Sequence, residues 1–221
     1  MARRLALIMA IFGFVYKNLY MEKHIKQSSK AILKRTTIAI HSLIYIYPIL
    51  EESASSYIFN TYIINLLITI ILTTISIYDI DKMEVSNFTL KLSAVILFIF
   101  LIINPFNISY EQTKNHLIAT ITVFTFMSFL SIIGEKITQR TLLGNGDVKL
   151  FALGGALLGT SGSYAAITMA FTTAALFSLI GRIFNRLKPW QAFPFAPFIC
   201  ISMQSVWILD KDWGIVEFFV R

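Results

Sequence analysis

A single cysteine, Cys200, stands in the 221 residues of this chain. That excludes an internal disulfide and a cysteine-based zinc cluster. Charge is also scarce: 14% of the residues are Asp, Glu, Lys or Arg, and the acids number only 12. Against this, 56% of the chain is hydrophobic. A soluble domain of this length cannot hide so much apolar surface, so the composition predicts a polytopic membrane protein in contact with a lipid bilayer. The first apolar stretch carries no small-residue cleavage site of the kind that ends a secretory signal. What the chain does have is a basic excess, with 19 Lys and Arg and a net charge of +7. In a soluble protein that balance would point to nucleic acid. In an apolar chain it points to positive-inside topology, and no nucleic-acid partner is expected.

Eight apolar runs follow one another, at 5–16, Thr36–Leu50, Phe59–Tyr78, Phe88–Ile103, Leu117–Ile133, Val148–Leu158, Tyr164–Ile183 and Phe193–Leu209. The expected fold is an all-α bundle of about eight transmembrane helices joined by mostly short loops. Residues 1–58 form an N-terminal membrane segment with a basic loop, and residues 59–221 form the main membrane domain. Placing loops 17–35, 79–91, 134–149 and 182–188 in the cytoplasm puts 14 of the 19 basic residues there. Only Arg3, Arg4, Lys114, Lys211 and Arg221 fall outside.

Two of these loops carry the acids that matter. Asp147 stands behind Gly144 and Gly146 at the threshold of an apolar run, and Asp79 ends the Phe59–Tyr78 run. A carboxylate at a membrane boundary is costly unless it is paired or wet. The expected topology brings both loops to one face, so the two acids can meet. A close carboxylate pair shares protons unequally, and such a pair can activate water and protonate a leaving amine. Each residue also has a plainer reading. Asp147 suits a helix N-cap. Asp79 has no such excuse, because a helix C-terminus disfavours an anion. Asp81 and Glu84 read as solvated loop charges. Lys149 is either a snorkelling anchor or a partner for Asp147. Pro194 and Pro197 suit a helix start, and His41 reads as a polar group satisfied inside the bundle or at the interface, not as a ligand. On the same dipole argument Asp147 is expected to be the ionised member of the pair and Asp79 the protonated one.

At this point the motifs resemble a family. Gly144-x-Gly146-Asp147-x-Lys149-Leu150 is similar to the signature of the type IV prepilin peptidases, which are membrane aspartic proteases. Asp79-x-Asp81 with Ser86-Asn87 resembles the family's first aspartate motif, where proline is usual at the position of Ser86. Phe193-Pro194-Phe195-Ala196-Pro197 resembles its late Pro-Phe-Gly-Pro segment, with Ala196 in place of glycine. The resemblance spans roughly residues 60–210. It implies catalytic Asp79 and Asp147, with Gly144, Gly146, Lys149, Asp81, Pro194 and Pro197 in support. It implies no metal and no cofactor. The expected activity is cleavage of the leader of a type IV prepilin or type II secretion pseudopilin, at the cytoplasmic face of the bacterial inner membrane. Longer members carry paired Cys-x-x-Cys motifs and also methylate the product; residues 17–35 hold no cysteine, so only the peptidase is implied. Two other readings compete. Tyr78-Asp79 and Gly-x-Gly-Asp also resemble the presenilin and signal-peptide-peptidase enzymes. A proton-coupled transporter would use intramembrane acids, but it would also tend to show internal repeats, and none is visible here.

Overall fold

The computed structural model describes residues 26–51, 58–103, 110–184, 187 and 191–213. All the regular structure among them is helical: α1 Lys26–Glu51, α2 Ile58–Lys82, α3 Asn87–Ile103, α4 Tyr110–Thr138, α5 Asn145–Ile183 and α6 Ala196–Trp213. Helices suit an apolar chain because they satisfy every backbone group within one segment.

The all-α expectation holds, but about eight spanning helices are not supported. The described residues form six helices, and two of them, α4 and α5, are long and apolar enough to cross a bilayer. The first apolar run, 5–16, lies outside the described residues. Val148–Leu158 and Tyr164–Ile183, expected as two spans, belong to the single 39-residue helix α5. A local break at Gly159, with φ 69 and ψ −172, interrupts it. Only glycine takes that conformation at little cost. His116 Nδ1 lies 3.0 Å from the Ala156 carbonyl, and Thr160 donates to Asn115 Oδ1 at 2.5 Å, so polar groups of α4 line the break.

The polar connections are shorter than expected because helices run into them. Helix α1 already begins within the basic stretch at Lys26, α2 continues to Lys82, and α4 continues to Thr138. Both α2 and α4 stop just before a residue in the left-handed region, Met83 at φ 57 and Gln139 at φ 53. Their N–H groups close on Asp79 O at 2.8 Å and Glu135 O at 2.8 Å. Ser86 supplies the next start: its hydroxyl accepts from Thr89 N at 3.4 Å, so a serine N-cap opens α3 where the resembled family has proline.

Helix α5 is the centre of the packing, against α4 on one side and α6 on the other, and α6 also packs on α2. Helix α1 packs on α2 and α6, and α3 bridges α2 and α5. Leu72, Ile75, Met127, Leu150, Phe151, Ile199 and Met203 are the buried heart of this arrangement. The glycine-rich start of α5 packs tightly, as expected. At Gly155 a Cβ would stand 2.8 Å from the Thr120 backbone, which is the small-residue approach typical of membrane helices. Large apolar side chains cover the outside, with Phe98 63%, Ile121 67% and Phe129 59% exposed. So much apolar surface fits a protein bathed in lipid.

Candidate active site

Asp79 lies in the last turn of α2, yet it does not face an open helix end. Its carboxylate is buried and accepts from Ala196 N at 2.9 Å and also from the Phe195 N–H. These are the free backbone donors at the start of α6, so an acid of α2 caps a different helix. The expectation placed Asp79 at a helix C-terminus alone. Tertiary packing adds a second helix, whose N-terminus favours negative charge.

The segment that delivers these donors is held by aromatic rings. Phe195 lies 5.3 Å from Phe171 and 6.0 Å from Phe151, between ring centroids. Phe193 contacts Phe177 and Phe198 at 5.8 and 5.9 Å. Pro194 lies in the irregular stretch before α6, and Pro197 in its first turn, where a missing N–H leaves no helical bond unmade. The two prolines thus flank the start of α6, whose Ala196 N–H meets Asp79. The carbonyl of Phe195 opens the helix, accepting from Phe198 N at 3.0 Å and Ile199 N at 3.3 Å. Ala196 is fully buried.

Asp147 sits in the first turn of α5, but not as its N-cap. Gly144 holds that position with φ −67 and ψ 146. Asp147 is three residues further on, and its carboxylate reaches back to the Gly144 N–H. This is the return half of a capping box. A Cβ on Gly144 would come within 3.2 Å of Asp147 Oδ2, so a side chain there would crowd the acid. Gly146 serves another contact: a Cβ would stand 2.8 Å from Val85 Cβ, where the α2–α3 connection closes over the first turn of α5.

The two acids lie close enough for the charge of Asp79 to act on Asp147, and both act on the buried thiol of Cys200. Helices α2, α5 and α6 thus converge on one point, with two carboxylates and three backbone donors.

The remaining candidates stand around this point. Lys149 Nζ donates to Asn87 Oδ1 at 3.1 Å, so it ties α5 to α3 instead of compensating Asp147. Asp81 is not a freely solvated charge. Lys34 pairs with it at 2.5 Å, and Lys30 donates to its backbone carbonyl at 3.1 Å, which fastens α1 to the end of α2. His41 is buried within the bundle, as expected. Phe195 and Ala196 were not singled out as binding groups. The signal for them was present in the Pro-Phe-Ala-Pro run, but backbone donors leave no side-chain signature.

A buried carboxylate, Asp79, and a partly buried one, Asp147, thus stand together on these helices. A model of the type IV leader peptidase family matches residues 66–179 and so includes both acids. The chain belongs to the type IV leader peptidase family. It is accordingly a membrane protein of a protease class, and the transporter reading loses its support. No curated protein and no solved structure matches the chain.

Proposed function

We propose that this protein is a multi-pass aspartic endopeptidase of the bacterial inner membrane. Its substrate is the leader of a type IV prepilin or a type II secretion pseudopilin, cut at the cytoplasmic face. The observation that carries this reading is the convergence of Asp79 and Asp147, from helices far apart in sequence, within electrostatic reach of each other. Membership of the leader peptidase family supports the substrate class. The basic residues around the α2–α3 and α4–α5 connections support the cytoplasmic placement.

In the proposed reaction one carboxylate takes a proton from water while the other, protonated, hydrogen-bonds the scissile carbonyl. Water adds, and the tetrahedral intermediate collapses as a carboxyl proton moves to the leaving amine. We assign Asp79 as the ionised partner, because the Ala196 N–H at the start of α6 donates to its carboxylate at 2.9 Å. This reverses the expected assignment, which set Asp79 at the C-terminal end of α2 against Asp147 at the N-terminal end of α5, beside Lys149. The pair titrates as a unit, so a rate profile reports it and not either acid alone. Division of the chain at residues 58/59 into an N-terminal segment and a peptidase domain remains part of this proposal, although α1 packs against the catalytic helices.

Co-expression with a prepilin tests the reading. A faster-migrating, leaderless pilin is expected with the intact chain. An unprocessed prepilin beside well-expressed, membrane-inserted protein would overturn it.

A further inference from the structure

Further along the same two helices from the Asp79–Ala196 contact lies a buried polar cluster to which the proposed reaction gives no task. His41 of α1, Thr69 and Ser76 of α2, and Gln204 of α6 are all buried. His41 Nδ1 is hydrogen-bonded to Gln204 Oε1. Gln204 Nε2 donates to Thr69 Oγ1 at 2.9 Å and to the His41 carbonyl at 3.2 Å. Both amide hydrogens of Gln204 are thereby used, so its oxygen must accept from His41, which places the proton of a neutral ring on Nδ1. The other ring nitrogen, Nε2, lies 3.4 Å from Ser76 Oγ. The Ser76 hydroxyl gives its one hydrogen to the Leu72 carbonyl at 2.8 Å, so it packs beside the ring and has none left for Nε2.

The position of this cluster decides its meaning. Thr69 stands ten residues before Asp79 on α2, and Gln204 stands eight residues after Ala196 on α6. The Gln204–Thr69 bond therefore joins the same two helices as the Asp79–Ala196 bond, about two to three helical turns away. A slide or rotation of α6 along α2 breaks both together. Two members, His41 and Gln204, lie outside the matched segment 66–179, so their helices enter the site through tertiary contact. Polar side chains between membrane helices hold them at one register, since unpaired groups in an apolar setting are costly.

We propose that His41 is a positioning residue for Asp79: by holding Gln204, which bonds Thr69, it fixes the register of α6 on α2, so that the backbone N–H groups at the start of α6 meet the carboxylate. Helix α1 is on this account a working part of the peptidase and not only a membrane anchor. The proposal rests on the catalytic reading of Asp79 given above.

Hydrogen–deuterium exchange on the full chain in detergent tests it, with His41→Ala, His41→Gln and the near-isosteric Thr69→Val. In His41→Ala the amides of Phe195 and Ala196 exchange about tenfold faster, equivalent to about 1.4 kcal/mol, while amides of 148–158 in α5 keep their rates. The kcat on a prepilin, per folded enzyme, falls by a similar factor with KM unchanged. His41→Gln, whose amide can both donate and accept, restores most of both. Thr69→Val moves the same two amides by less, and it stands in if His41→Ala does not fold. Unchanged exchange at Phe195 and Ala196 would overturn the proposal. So would a uniform rise across α4, α5 and α6, which would make the cluster a general fastening. Exchange is read without substrate, so this failure is distinct from loss of the peptidase reading, which would appear as cleavage by Asp79→Asn.

Discussion

Asp79 and Asp81 are two positions apart and serve opposite ends. The first is buried under the start of α6, and the second is a partly exposed partner of Lys34. A surface ion pair contributes about 0–1 kcal/mol, so Asp81→Asn should keep cleavage within a few-fold of wild type. Asp79→Asn should lower cleavage about a hundredfold or more, as expected when a group that moves protons is lost. A gel assay of prepilin processing separates the two, and an inactive Asp81→Asn beside an active Asp79→Asn would invert the site. Gly146 offers a second check. Gly146→Ala drives a methyl into Val85, and overpacking of this kind costs about 1–3 kcal/mol, so cleavage should fall. Val85→Gly in the same chain removes the clashing atom and should recover part of the rate. Lack of any recovery would mean that Gly146 acts by another route. The acids themselves were legible in the sequence, because a carboxylate at the end of an apolar run needs a reason. Their partners were not. Lys149 could have paired with Asp147, and only the packing of α3 against α5 gives it Asn87 instead.

The helix ends show where local signals sufficed and where they did not. Ser86 and Pro197 carry their meaning in their own chemistry, one as a cap and the other as a first-turn residue. The ends of α2 and α4 carry none, since Met83 and Gln139 adopt a left-handed conformation that usually falls to glycine. That conformation costs a residue with a side chain about 1 kcal/mol, so Gln139→Gly should raise the thermal midpoint in detergent. Gly159→Ala should do the reverse, by about 1–3 kcal/mol, because it combines a positive φ with a Cβ 2.9 Å from Asn115 Nδ2. A rise in the midpoint of Gly159→Ala would mean that the break in α5 is not needed. The polar residues Ser161 and Ser163 beside Gly159 made two separate spans a natural reading of the sequence. The contacts of Asn115 and His116 from α4 explain why the helix continues across the break instead.

At the scale of the whole molecule, composition alone gave the membrane setting and the helical class, because both follow from sums over the chain. The helix count did not follow, since periodicity marks apolar stretches and not where one helix carries two of them. The placement of α1 beside the site was also hidden, as it depends on pairings such as Lys34–Asp81 and His41–Gln204 that join distant parts of the chain. Sidedness can be read directly. Helix α4 has 29 residues, about 44 Å at 1.5 Å per residue, longer than the hydrocarbon core of a bilayer. Cysteines placed at Tyr110 and Gln139, at its two ends, should label from opposite sides, with the buried Cys200 silent. Labelling of both from one side would remove the crossing. The central claim is that Asp79 and Asp147 together cut a leader peptide. Its most direct test incubates the purified full chain, Asp79→Asn and Asp147→Asn with a prepilin, and sequences the N-terminus of the product. The account predicts one new N-terminus just after the leader with the unaltered chain, and intact substrate with either variant. The same new N-terminus produced by both variants would contradict it.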